Sequence, residues 1–412
     1  MNRVMKAKER STYLVKWFLI SALIGISGGV IGSVFSKAIA FGTGLFKTWP
    51  FMLYLLPVSG LIITFLYQVS GEGANKGTNM VLAHLNVNDP ISEKTGPLIF
   101  IGTVLTHAVG GSAGREGAAL QVGGSLGHLI GRLLRLKEGD IKIAVMCGMA
   151  TVFGALFGTP LAAAVFCIEV QHVGVLYHGA MMPCMFGAFL GAGIAQAFGL
   201  HAESFPITEV PAFGLEEGLL MILLGMCCSV VSVAFCHLLH ETGHLYKKYL
   251  PNPYLRAAVG GLLVILLTLL SGSRAYNGSG VTLIEEALEG EIRYESFLVK
   301  AIFTAITLEA GFKGGEIVPT LCIGALFGTV FGSVLGFAPA VCGAAGMIAC
   351  FASVTNCPIS ALLIAFEMCG LLPLPYFAIA TSVCFLLSGE TSLYTTQKHL
   401  QDELPTEVKR PH

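Results

Sequence analysis

The sequence predicts an all-α integral membrane protein built from two related helical halves with discontinuous helices. Three observations carry this: a greasy composition, many apolar segments interrupted by Gly or Pro, and an internal repeat. Of 412 residues, 54% are hydrophobic and only 12% charged, with a mean hydropathy of +0.75. A soluble domain carries about 25% charged residues, so most of this surface is expected to face lipid. A net charge of −1 suggests neither nucleic acid nor acidic partners. The 12 cysteines sit mostly singly in apolar runs, as at Cys147, Cys167, Cys184, Cys322, Cys342 and Cys350, without any CxxC or Cys/His cluster. They read as small buried hydrophobes, with no metal or disulfide role.

The N-terminus, MNRVMKAKER, carries four Lys/Arg and one acid before the long apolar run from Tyr13. A cleaved signal peptide competes with this reading. The length of that run and the many segments after it favour an uncleaved first helix with a cytoplasmic N-terminus. Candidate segments are 14–38, 50–69, 97–112, 141–158, 160–176, 178–199, 213–240, 254–272, 296–312, 317–336, 340–354, 357–371 and 372–389. A crossing helix needs roughly 20 apolar residues, and several segments are shorter or broken. Broken helices at membrane depth are tolerated only where they are buried in protein or line a cavity. That points to a transporter or channel in the cell (inner or plasma) membrane. Residues 137–140, 201–214 and 247–256 read as loops, and 401–412 as a polar tail.

The repeat is specific. Gly123, Gly127 and Gly131 follow Glu116 four apart, and Gly324, Gly328 and Gly332 follow Glu316 likewise. Gly148-Met149 precedes Pro160 and Glu169 as Gly346-Met347 precedes Pro358 and Glu367, with the same spacings. GxxxG ladders alone mean close helix packing. Ladders, prolines and glutamates all matched about 200 residues apart mean duplication, typical of secondary transporters whose site lies between the repeats. The expected division is a first half over 1–200 with the N-terminal helix, a linker over 201–214, a second half over 215–400 and the tail over 401–412.

Helix starts supply the chemistry. The first N–H groups of a helix have no carbonyl partner and carry about half a positive charge, which suits an anion. Glycine-rich entries precede helix starts near Gly114–Ala118 and Gly315–Pro319. A third, Gly77-Thr78-Asn79, offers a hydroxyl that either meets an anion or caps its helix. Glu116 stands at such an anion-favouring end. It can fill the anion site or take a proton and leave, whereas the structural alternative is an Arg115–Glu116 pair. Glu169 and Glu367 read as structural groups near helix ends at the membrane surface. Lys313 and Glu309 either pair or shape an entrance; His84 and His107 read as packing or interfacial residues, and Arg115 as an organiser of its turn.

Gly114-Arg115-Glu116-Gly117 resembles the GREG motif of the CLC family of chloride channels and anion/proton antiporters. Gly314–Pro319 resembles that family's GGxFxP element, and Ser392–Gln397 the segment with its pore tyrosine, here Tyr394. Gly77-Thr78-Asn79 lies where the family has its GSGxP loop. Departures point to a branch: Thr78 replaces the usual serine with no proline after it, Ile317-Val318 replace Phe-Ala, and Glu316 precedes them. Val170 stands where chloride/proton antiporters carry an inner proton glutamate. These features resemble the fluoride-transporting branch.

The resemblance implies a homodimer with one pore per subunit in the lipid bilayer, exchanging fluoride, with chloride as the second candidate, against protons. It implies Glu116 and Glu316 as gating and proton groups. It also implies Thr78, Gly117, Ala118, Ile317, Val318 and Tyr394 as the anion site. The alternatives are a chloride/proton antiporter or a passive anion channel of the same fold. A membrane-embedded enzyme pairing Glu116 with Glu169 finds no nucleophile, metal set or cofactor loop, so no enzyme, cofactor or metal is expected.

Overall fold

The computed structural model describes residues 2–73, 77–87, 89–291 and 293–399. The tail expected over 401–412 and residues 74–76 of the Thr78 entry lie outside them. The first half contains α1 (Asn2–Thr48), α2 (Leu56–Val69), α3 (Thr78–Val87), α4 (Thr95–Ala108), α5 (Glu116–Leu133), α6 (Glu138–Phe157), α7 (Pro160–Glu169) and α8 (Met181–Ala197). The second contains α9 (Leu215–Tyr249), α10 (Pro253–Ser271), α11 (Val281–Leu288), α12 (Ser296–Glu309), α13 (Ile317–Leu335), α14 (Pro339–Thr355), α15 (Pro358–Cys369) and α16 (Leu374–Ser388). Each helix of the first half has a counterpart about 200 positions later. A two-residue parallel pairing of His172–Val173 with Lys398–His399 fixes the C-terminal segment.

Among the described residues, seven helices are long and apolar enough to cross a membrane, and five further apolar helices are shorter. The core is formed where helices meet backbone to backbone. A Cβ on Gly123 would strike the Gly148 carbonyl, and one on Gly127 the Ala144 carbonyl, so α5 lies directly on α6. Gly324 against Gly346, and Gly328 against the Cys342 carbonyl, repeat this contact between α13 and α14. The window of α6 is 83% buried and that of α2 only 33%. The first therefore lies inside the protein, and the second presents its apolar face to lipid. All 12 cysteines are unpaired, and all but Cys227 are buried.

The halves interlock through a reciprocal exchange of carboxylates. Glu169, ending α7, accepts the N–H groups of Ile359 (3.0 Å) and Ser360 (2.8 Å), which begin α15, and the Ser360 hydroxyl. Glu367, near the end of α15, accepts the N–H groups of Leu161 (3.0 Å) and Ala162 (2.8 Å), which begin α7. Prolines at the first turn of both helices remove one orphan donor each, and the carboxylates take the next two. Glu169 is 6% exposed, and each glutamate closes the opposite half's helix. Such mutual capping requires α7 and α15 to run antiparallel, the signature of an inverted repeat.

Helices also run beyond the apolar segments. The segment at 14–38 lies within α1, which continues to Thr48, and the one at 213–240 within α9, which continues to Tyr249. Good helix formers such as Lys and Glu prolong a helix past its apolar window. Helix α11, absent from the predicted segments, has eight residues, too few for a hydropathy signal.

Candidate functional site

The starts of α5 and α13 meet at the pseudo-two-fold. Gly114 N donates to Gly315 O (2.7 Å) and Gly315 N to Gly114 O (2.9 Å), a small antiparallel bridge between the two glycine-rich entries. Only glycine permits it. A Cβ on Gly315 would stand 2.6 Å from Gly117 N and 3.0 Å from Glu116 Oε2. Both helix N-termini thus open onto one buried point, and their partial positive charges add there.

The Glu116 carboxylate occupies that point with no solvent exposure. Oε2 accepts from Val318 N (3.2 Å), crossing to the other half, and Oε1 accepts from Arg115 N (3.0 Å). A carboxylate oxygen held by main-chain N–H groups at a helix start sits as a small inorganic anion would. Gly117 and Ala118, which follow Glu116 in the first turn of α5, and Ile317 and Val318, which begin α13, are all buried. Their aliphatic or absent side chains leave the main chain as the polar surface.

Thr78 begins α3 and closes this point from another direction. Its hydroxyl donates to Gly117 O over 3.4 Å. A Cβ on Gly117 would lie 2.9 Å from Thr78 Oγ1 and 3.4 Å from Glu316 Oε2, so both side chains converge on Gly117. Both Glu316 Oε2 and the Tyr394 hydroxyl are buried and accept or donate no hydrogen bond among the described residues. Glu116, Glu316, Thr78, Gly117, Ala118, Ile317 and Val318 therefore meet, although they come from three separate stretches of chain, and buried Tyr394 lies in a fourth stretch tied to α3 through Thr396 and Asn79.

Other singled-out residues lie elsewhere. Arg115 turns away to pair with Glu203 and lies over the Phe157 ring, 5.5 Å from its centroid. Lys313 sits 4.2 Å from the Tyr67 ring centroid. His84 bonds to Asp89 O (2.7 Å) beside His128, and His107 to Thr103 O (2.9 Å) within its own helix.

Three polar residues join the site's frame that the motifs did not indicate. Gln121 Nε2 donates to Gly117 O (3.1 Å), one helical turn back; its place four residues after Gly117 is the signal that marks it. Glu203, in the 201–214 segment, anchors Arg115. Lys300 is fully buried and donates to Ser112 Oγ (3.0 Å), Tyr276 O (3.0 Å) and Gly278 O (2.7 Å), tying the turn at 276–280 to the entry of α5. A lysine inside the 296–312 apolar segment is itself a reason to expect a specific role.

The chain matches the model of the voltage gated chloride channel family over residues 59–389. The chain belongs to this family. It is 30% identical over 395 residues to a chloride/fluoride channel protein of Pseudomonas syringae pv. tomato, covering 94% of this chain and 87% of the relative. It is 24% identical to the H(+)/Cl(-) exchange transporter ClcA of Citrobacter koseri, covering 92% and 87%. Among solved structures, that of a CLC-type fluoride/proton antiporter superposes with a TM-score of 0.90 at 31% identity, covering 94% of this chain and 98% of the other. A slow cyanobacterial Cl-/H+ antiporter superposes at 0.75 with 22% identity, which extends the likeness in fold alone. The protein is accordingly a multi-pass membrane protein of the CLC fold.

Proposed function

We propose that this protein exchanges fluoride for protons across the cell membrane, with Glu116 as the mobile gate. The observation that carries it is the Glu116 carboxylate bound to Val318 N at the junction of two helix starts. An anion entering this point displaces the carboxylate, and a displaced carboxylate in a dry, low-dielectric site is stabilised by taking a proton. Binding of the anion and protonation of the gate are thereby linked: each favours the other.

The surroundings suit fluoride. A small, strongly hydrated anion needs several short hydrogen bonds to replace its water. The N–H groups of Gly117, Ala118, Ile317 and Val318 and the hydroxyls of Thr78 and Tyr394 are the donors available. Glu316, with one oxygen free of protein partners beside Gly117, supplies a second carboxyl that shares a proton with the anion. The likeness to a chloride/fluoride channel protein and to a fluoride/proton antiporter supports the same reading. Val170 offers no titratable group at the inner position, so Glu316 takes the inner proton step. The 1–200 and 215–400 halves act around the 201–214 segment, which crosses both: Glu203 N donates to Phe157 O (3.0 Å) and Phe205 N to Met368 O (2.7 Å). The working unit is a homodimer with one such site in each subunit.

The test is anion efflux from liposomes holding the purified protein, with fluoride, chloride and pH recorded together. Fluoride efflux well above chloride, with protons moving oppositely, is expected. Chloride moving as fast as fluoride would overturn the specificity, and fluoride moving without protons would leave a channel.

A further inference from the structure

We infer that Gln397 is the positioning residue that sets the Tyr394 hydroxyl at the anion site. The inference rests on the reading of Tyr394 as an anion ligand. Tyr394 lies in a stretch that no helix holds, yet a ligand hydroxyl must be placed to within fractions of an ångström. Gln397 meets that need. Its Nε2 donates to Val170 O (2.9 Å), just past the end of α7, and to Thr355 O (2.7 Å), the last residue of α14. Its Oε1 accepts from Ser392 Oγ (2.8 Å) and from Asn356 Nδ2 (3.3 Å). A glutamine side chain has two donors and two acceptor sites, and all four are used. The two donors bind one half each, so the side chain spans the junction of the repeats.

The Tyr394 backbone is enclosed by the same network. Tyr394 N donates to Ser392 Oγ (3.0 Å), and Gln397 N donates back to Tyr394 O (3.2 Å). Leu393 N donates to Val354 O (2.9 Å). Ser392, Tyr394 and Gln397 thus form a closed turn whose anchor is the glutamine amide. The neighbouring Thr396 binds instead to Asn79, through Thr396 N to Asn79 Oδ1 (3.3 Å) and Thr396 Oγ1 to Asn79 O (3.2 Å). It links the turn to α3, which carries Thr78. Among the described residues the Tyr394 hydroxyl has no hydrogen-bond partner that would hold it, so its position comes from the turn.

The test is a double-mutant cycle in liposomes, using Gln397→Met, Tyr394→Phe and the pair, with initial fluoride efflux measured against fluoride concentration. Methionine keeps the length and removes all four bonds. Gln397→Met is expected to raise the fluoride KM by the same factor as Tyr394→Phe, within about twofold, and the double variant is expected to match either single one. Effects that multiply, or a wild-type KM in Gln397→Met beside an impaired Tyr394→Phe, would overturn the inference while leaving Tyr394 a ligand. A wild-type KM in Tyr394→Phe would instead remove Tyr394 from the site and the inference with it. Should Gln397→Met fail to fold, Ser392→Ala carries the same cycle, since it removes one Gln397 partner and the acceptor of Tyr394 N.

Discussion

Two pairs of glutamates occupy matched positions in the two halves, and their surroundings differ. Glu169 and Glu367 each take two main-chain N–H groups of a helix start, and Glu169 takes a hydroxyl as well. Glu116 also takes one main-chain N–H on each oxygen, but one of them comes from its own neighbour Arg115, and Glu316 leaves Oε2 without a protein partner among the described residues. A carboxylate whose bonds all cross to the start of the opposite half's helix is a clamp. Only one bond of Glu116 crosses to the other half, so less of the junction is lost when it moves or takes a proton. The same residue type, duplicated in the same ancestral segment, fastens the halves at Glu169 and Glu367 and, in the proposed exchange, is the mobile group at Glu116.

The sharpest way to break this contrast is Glu116→Gln. The amide keeps the shape but cannot lose or gain a proton. Proton coupling should vanish, and fluoride turnover should fall by about ten- to a hundredfold, the loss of one charge-assisted bond of about 1.5–3 kcal/mol. Simultaneous fluoride-electrode and pH recordings check it. Glu316→Gln should follow with a fall of about tenfold, again by flux. Its melting temperature in detergent should stay near that of the unaltered protein, because Oε2 bonds to nothing that an amide would lose.

The clamps should behave inversely. Glu367→Ala and Glu169→Ala each strand two helix-start N–H groups, most of them part-buried, so about 1–3 kcal/mol of stability in all is expected to go. Thermal unfolding reads that loss, while protons moved per fluoride stay unchanged in the protein that survives. A changed ratio would make a clamp into a working group. The smallest effect is expected from Glu203→Gln, which weakens a partly exposed ion pair worth about 1 kcal/mol or less. Fluoride turnover should fall by less than about fivefold.

Much of this contrast was legible in the sequence because it is written in short, local patterns. The Gly-Arg-Glu-Gly entry, the Gly-Gly-Glu entry and the glycine ladders each lie within one stretch, and duplication made them visible twice. Matched Pro160–Glu169 and Pro358–Glu367 spacings were equally plain, yet their meaning was not. Capping by Glu169 joins residues about 190 positions apart, and nothing near Glu169 announces its partner at Ser360. The same holds for Arg115 with Glu203, for Lys300 with Ser112, and for Gln397 with Val170. Those contacts join stretches far apart in the chain, most of them across the two halves, so the pattern showed the repeat but not which side chains fasten it. Helix α11 escaped for a different reason, being too short to leave a period.

The most direct test of the central claim is whether a pH gradient alone drives fluoride uphill. Liposomes holding the purified protein would start with equal fluoride on both sides, the membrane potential clamped at zero and the outside made acidic. Exchange predicts net fluoride movement out of the liposomes to the acid side as protons enter. Leakage of neutral hydrogen fluoride would carry fluoride the other way, so the sign separates the two. No net movement, with fluoride still crossing freely under its own gradient, would contradict the account and make Glu116 the gate of a channel.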